Sequence, residues 1–247
     1  MGWLFTAPII IPFGLTLVWF GRARRRRYRA MASAPPLTCA EIAEHSEPIM
    51  CAVTGTAVPG ANGLLRAPFS GEPCVWHRIQ VAVHYLEEEV QMVNNSEVLV
   101  MQTQMVERAS VVHDEVSAEP FSVEDHTGRI LIGADRDVDS PIRSHMESVP
   151  GLDDLDRFGL TLQITRTDIR RRTYTEWILT EGTPMYVRGA AHNTGDRLEL
   201  TRPYAVSTKS RDELLREARS LSVGCTVLGG LLIAISLAGV LSVALNG

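Results

Sequence analysis

Four places in this 247-residue sequence combine residue types that could do chemistry. Cys74-Val-Trp-His77 has the spacing of half a zinc site. Its surroundings read as a strand, however, and strand residues three apart point to opposite faces, so thiol and imidazole need a bulge to share an ion. No second Cys/His pair is present, so a structural Cys74 and His77 are expected. Asp125-His-Thr-Gly128 sets a carboxylate ahead of Thr-Gly. Two Asp-Thr-Gly loops sharing a proton would form an acid–base dyad, but one residue intrudes here and a second copy is missing. The expected structure is a hairpin turn, with Asp125 capping amides and Gly128 at positive φ. Ser70, before Gly71, lacks the G-x-S-x-G elbow of an exposed nucleophile. Glu176 beside Trp177 reads as a charged strand-edge residue, not a general base. Gly55 and Gly60 belong to no phosphate-cradling loop. The expectation is no catalytic residue, no cofactor and no metal.

Strands must position these residues. Ile49–Val58 closes at Pro59-Gly60, Leu64–Ala67 is short, and Cys74–Leu86 alternates with Val75, His77, Ile79, Val81, Val83 and Tyr85 on one face. Asn94-Asn95 can turn a hairpin, and Glu97–Val116 returns from it, so 86–116 is expected to protrude. Phe121–Glu124 and Arg129–Ile132 flank the Asp125 turn. Residues 133–156 are acidic and aperiodic and read as a loop. Strands are expected again at Leu160–Thr165, Thr173–Thr180, Pro184–Ala190 and Arg197–Thr201. Thr38 with Glu41, and Ser210 with Glu213, have the spacing of capping boxes that start helices. The expected fold is mainly β: one antiparallel barrel or sandwich, with a small OB-type barrel as first choice.

The two ends are a different material. Neither Trp3–Phe20 (18 residues) nor Leu221–Leu245 (25 residues) holds an Asp, Glu, Lys, Arg or His. Crossing a bilayer takes about 20 apolar residues. The first segment has two readings, an anchor or a cleaved signal peptide. A signal peptide needs positive charge before its apolar run. Here Arg22, Arg24, Arg25, Arg26, Arg27 and Arg29 follow it, which favours the anchor. Lys209, Arg211, Arg216 and Arg219 precede the second segment. Both flanks predict N-terminus out, soluble part cytoplasmic and C-terminus out in a multi-pass plasma-membrane protein. The division expected is 1–21 first span, 22–37 basic linker, 38–209 β-rich domain, and 210–247 lead-in and second span.

The net charge is −5; removing the +6 of residues 22–29 leaves −11, an acidic remainder that argues against a nucleic-acid partner. The arginine tract suits topology and anionic lipid heads. Cys39, Cys51, Cys74 and Cys225 form no C-x-x-C pair, and a cytoplasmic domain predicts free thiols. In the second span, Ser222, Thr226, Gly230, Ala234, Ala238 and Ser242 recur every four residues. Such a stripe lets helices approach closely, with the first helix or a second copy of the chain as partner.

Several runs together resemble a known family. Val53-Thr-Gly55-Thr-Ala-Val-Pro59 and Leu65-Arg-Ala-Pro68-Phe-Ser-Gly71-Glu-Pro-Cys74-Val-Trp76-His77-Arg resemble the opening of the GIDE domain, also called BAM for "beside a membrane". Pro120-Phe, with Glu124-Asp125-His-Thr-Gly128-Arg-Ile-Leu, resembles its middle. Glu176-Trp-Ile, Gly182 and Met185-Tyr-Val-Arg-Gly189-Ala resemble its third part, and Ser207–Leu214 the approach to the second span. The Cys-Val-Trp-His-Arg form is similar to that of the actinobacterial branch. The resemblance spans residues 38–215 and implies a domain between two membrane helices. It also implies a link to RING-type E3 ubiquitin ligases. Ligase chemistry in that family resides in a RING holding two zinc ions with eight Cys/His ligands, and no such set follows the second span here. Two function classes remain: a membrane-tethered, non-enzymatic domain binding a protein partner or membrane-surface ligand, possible as a homo-oligomer; and a component of a ubiquitin-ligase system.

Overall fold

In the computed structural model, residues 12–23, 25–26, 34–95, 98–133, 137–151, 158, 160 and 168–246 are described. They fall into two compact units. One gathers the chain's two ends with residues 50–52; the other holds 38–49 and 53–208.

The second unit is built on a closed five-strand barrel. Its strands are β1 (Ile49–Val58), β6 (Phe121–Glu124), β7 (Arg129–Ile132), β10 (Pro184–Asn193) and β11 (Leu198–Ser207), in the order β1-β10-β11-β7-β6. Strand number and closure agree with a small barrel, but the β7–β11 pair is parallel. Because β7 and β11 come from distant parts of the chain, no hairpin dictates their direction. Val53, Ala57, Val123, Ile130, Ile132, Val187 and Leu200 fill the interior. The barrel is tight enough to need Gly55: a side chain there would overlap the Glu124 carbonyl of the paired strand.

Beside it lies a four-stranded antiparallel sheet ordered β5-β4-β9-β8. Strand β4 (Trp76–Asn95) and β5 (Val98–Val116) make one long hairpin, in register to Asn95 opposite Val98. The 86–116 hairpin is therefore real, and β4 continues nine residues past the expected Leu86 end. Strand β9 (Ile169–Leu179) pairs with β4 on one side and with β8 (Ile142–Pro150) on the other. Strand β8 corrects the reading of 133–156 as a loop. As an edge strand whose side chains are all exposed or half-buried, it has no apolar alternation to announce it. The strand expected at 160–165 falls largely outside the described residues. A two-strand piece, β2 (Leu65–Arg66) with β3 (Pro73–Cys74), carries the Phe69 turn.

Helix α2 (Cys39–Ala43) starts at the Thr38 box: the Thr38 hydroxyl accepts from Glu41 N, and Thr38 N donates to the Glu41 carboxylate at 2.7 Å. Cys39 and Ile42 are its buried face.

In the other unit, residues 12–23 form helix α1 and Arg211–Asn246 form helix α3. Among the described residues one stretch, Arg211–Gly239, is long and apolar enough to cross a membrane, with mean hydropathy 2.2. Residues 1–11 of the first expected span lie outside the described residues. Gly14 meets Gly229 and Ile233, while Gly21 meets Ser222 and Thr226, so α1 and α3 run antiparallel. Ser222 Oγ donates to the Gly21 carbonyl at 3.0 Å. The buried positions Ser222, Gly229 and Ser236 recur every seven residues, the seam of helices crossing at a shallow angle.

Replacing Gly55 with Ala is expected to lower stability by about 1–3 kcal/mol. Thermal unfolding of the full chain in detergent measures it; an unchanged Tm would refute the close-approach account.

Candidate functional site

Alternation along β9 sends Glu176 to one face of the sheet and Trp177 to the other. Each meets a different environment.

Glu176 is 0 % exposed, in a strand with neighbours on both sides. This corrects the strand-edge expectation. Its Oε2 accepts from Phe69 N at 2.6 Å. Its Oε1 accepts from Ser70 N at 3.2 Å, Ser70 Oγ at 2.5 Å and Ser144 Oγ at 2.6 Å. Burial alone would raise the pKa, but the Ser144 and Ser70 hydroxyls and the Phe69 and Ser70 amides outweigh it and hold Glu176 below its usual range. The carboxylate thus ties a turn 106 residues away onto β9. Phe69 then seats edge-on to Tyr174, with ring centroids 5.8 Å apart, over buried Ile79 and Val81. Pro68 starts this turn at the surface, and Gly71 ends it at φ +72°.

Cys74 lies under the same turn, fully buried against Ala67 and Ile178. Burial first, then the Glu176 and Glu72 charges, push its thiol up to about 11. His77 of β4 pairs with Ile178 of β9; its Nδ1 is buried with no hydrogen-bond partner among the described residues, and burial lowers its pKa. Among the described residues no group of three or more His, Cys, Asp or Glu could hold a metal. Trp76 fills the core beside them.

Asp125 is a second saturated carboxylate. Its Oδ1 accepts from Thr127 N, Thr127 Oγ1 and Gly128 N at 2.7, 2.7 and 2.9 Å. Its Oδ2 accepts from Cys39 N at 2.8 Å, and Thr127 Oγ1 accepts from Ala40 N at 3.0 Å. The turn therefore caps α2 from across the chain, using first-turn amides that no helical carbonyl reaches. Against the cost of burial, these bonds keep Asp125 below its usual range. Gly128 corrects the positive-φ expectation: it is absent from the left-handed glycines, and a Cβ there would sit 3.2 Å from Cys39 Cβ. Gly182 does take positive φ, +79°, in the β9–β10 turn, and Gly189 sits at a register shift of β10.

On the opposite face of the sheet, Arg78 and Trp177 are cross-strand partners. They line a cleft of about 390 Å³ with Asp137, Asp139, Pro141 and Val206. Arg78 is bidentate to Asp114 at 2.8 and 2.7 Å and reaches Asp137 at 3.0 Å. Asp139 N donates to Val206 O at 2.7 Å, so residues 137–141 are strapped to β11. The guanidinium is already neutralised, leaving a half-buried indole beside carboxylates. Spacing could not reveal this cleft, since its walls come from four separate segments.

The long hairpin has two unlike faces. Glu87 and Glu89 flank Arg108 on one, at 3.4 and 3.2 Å. On the other, Val90 pairs with Thr103, flanked by Met101 and Met105, and the three apolar side chains are 59 %, 69 % and 51 % exposed. Strand β5 is also a sheet edge, its outer backbone groups unpaired by any described strand. Alternation in 98–116 carried this signal, hidden by intervening polar residues.

Arg22, Arg25 and Arg26 are exposed on the first helical segment, while Arg24, Arg27 and Arg29 lie outside the described residues. Of the four-residue stripe, Ser222 and Thr226 meet α1 at Gly21; Gly230, Ala234 and Ala238 are exposed; and the Ser242 side chain lies outside the described residues.

A family model described as "GIDE: E3 Ubiquitin ligase" matches residues 91–241, more than half of the chain. No curated protein and no solved structure matches.

Because the folded pKa of Glu176 is depressed, its contribution is complete above the unfolded glutamate value and is lost as pH falls through the folded one. Glu176→Gln should cost about 2 kcal/mol at neutral pH, and flatten the acid limb of a Tm-against-pH curve; parallel acid limbs would contradict the assignment. Cys74 should resist iodoacetamide at pH 8 until the chain is unfolded, read by peptide mass spectrometry.

Proposed function

The chain belongs to the GIDE family, described as E3 ubiquitin ligase, and from that premise we propose that it is a membrane-anchored, non-enzymatic interaction domain. It holds a protein partner at the bilayer surface within a ubiquitin-ligase-related assembly. The observation that carries this reading is the apolar stripe Val90–Met101–Met105, left in water on a hairpin whose edge strand has free backbone groups. An extended peptide is the partner that satisfies both, adding a strand to β5 while its side chains cover the methionines. The two carboxylates best placed for acid–base work are saturated by the fold's own donors, which supports a structural role for the family motifs.

Anchoring is supported by α3, whose apolar window is only 17 % buried, and by the exposed Phe13, Leu15, Trp19, Leu221, Val227, Leu231 and Ile235 of the helix pair. Apolar surface on every side of a helix suits lipid, not water. The antiparallel contact puts Arg22 and Arg25 level with Arg219, which supports a single basic, cytoplasmic side with both outer ends across the membrane.

A second reading, favoured by the family's description, is that the chain itself takes part in ubiquitin-type transfer.

Replacing Met101 and Met105 together with Ser should weaken cross-linking to a membrane-resident protein partner about tenfold or more, as loss of central apolar anchors does. Unchanged cross-linking yield, with the Tm preserved, would reject the hairpin as the contact surface. Ubiquitin transfer by the purified full chain in a reconstituted mixture, abolished by Glu176→Gln but not by the Met101/Met105 change, would favour the second reading.

A further inference from the structure

We propose that the cleft between the basic ends of α1 and α3 binds the phosphate of an anionic phospholipid headgroup. The inference rests on membrane insertion of the helix pair. Arg25 and Arg219, from different helices, line one cleft of about 350 Å³ together with Ser222, Val223, Thr226 and Val227. The Ser222 hydroxyl bond to the Gly21 carbonyl fixes the two arginine-bearing turns at one level. Among the described residues neither Arg25 nor Arg219 is paired with a carboxylate or holds another hydrogen-bond partner. Two like charges facing one space repel, and an anion between them reverses the sign of the interaction.

The hydroxyls in the wall do not compete for that role. Ser222 Oγ is spent on Gly21 O, and Thr226 Oγ1 donates to Ser222 O at 2.7 Å. Recognition therefore falls to the guanidiniums, whose planar forks match phosphate oxygens two at a time. The other wall points to what the phosphate is attached to. Val223 and Val227 are 54 % and 55 % exposed and continue into the apolar run that begins at Leu221. Arg219 is the last ionisable residue before that run, and Arg25 follows shortly after the apolar end at Phe20. A ligand anionic at one end and hydrocarbon at the other matches this gradient. Free phosphate meets only half of it.

The full chain is purified from nanodiscs of equal parts phosphatidylcholine and phosphatidylglycerol, and retained lipid is counted by native mass spectrometry. Phosphatidylglycerol should be retained over phosphatidylcholine, with a loss of about thirtyfold in Arg25→Ala/Arg219→Ala. The Arg25→Lys/Arg219→Lys chain should retain part of it. The control Arg22→Ala/Arg26→Ala removes the same charge outside the cleft and should stay near wild type. Equal losses in both alanine pairs would mean a diffuse basic surface and overturn the site. Equal retention of both lipids would also overturn it, as would displacement by millimolar inorganic phosphate, which would indicate a free-phosphate site. Carbonate extraction of the same membranes separates the two levels. A chain that stays integrated yet shows no lipid preference refutes the cleft alone, whereas a released wild-type chain refutes insertion and the cleft with it.

Discussion

A carboxylate taken out of water must find donors inside the protein, and Glu176 finds them in a turn far away in the chain. Two amide or hydroxyl contacts come from Ser70 alone, one from Phe69 and one from Ser144, so two segments converge on one ionised group of a third. The convergence positions Phe69 over the apolar cluster of Ile79, Val81 and Tyr174, closing one face of the four-stranded sheet. With that face sealed, the other is free to carry Arg78 and Trp177 toward β11. Asp125 repeats the principle on a smaller scale, fastening α2 to the β6–β7 turn.

The Glu176 and Asp125 carboxylates are both engaged in holding separate segments of the fold together. The apolar surface left in water includes a hairpin of 20- and 19-residue strands with exposed methionines, and a helix pair with valine and leucine outward. Methionine suits such a surface because its unbranched chain adapts to irregular partners.

The helix pair obeys its own constraint. Close approach at Gly14, Gly21 and Gly229 leaves no room for side chains, so backbone and hydroxyl contacts set the spacing. A four-residue repeat drifts around a 3.6-residue helix, whereas Ser222, Gly229 and Ser236, seven apart, stay on one line. Ser222 belongs to both patterns and faces α1; Gly230 and Ala234 belong to the four-residue pattern only and are exposed.

Local pattern was enough to determine the mainly β character, both capping boxes, strands β1, β6, β7 and β10, the hairpin turning near Asn94-Asn95, and an apolar helix after Arg219. Each is set by side-chain period or turn chemistry acting over a few neighbours. Tertiary structure alone decided the parallel β7–β11 closure, strand β8, the burial of Glu176 and the cleft at Trp177. Strand β8 is half in water, so it carries no periodic signal, and β7 meets β11 across some 70 residues. Glu176 looks like any surface glutamate until its donors arrive, because they lie 32 residues away at Ser144 and more than 100 residues away in the Phe69 turn.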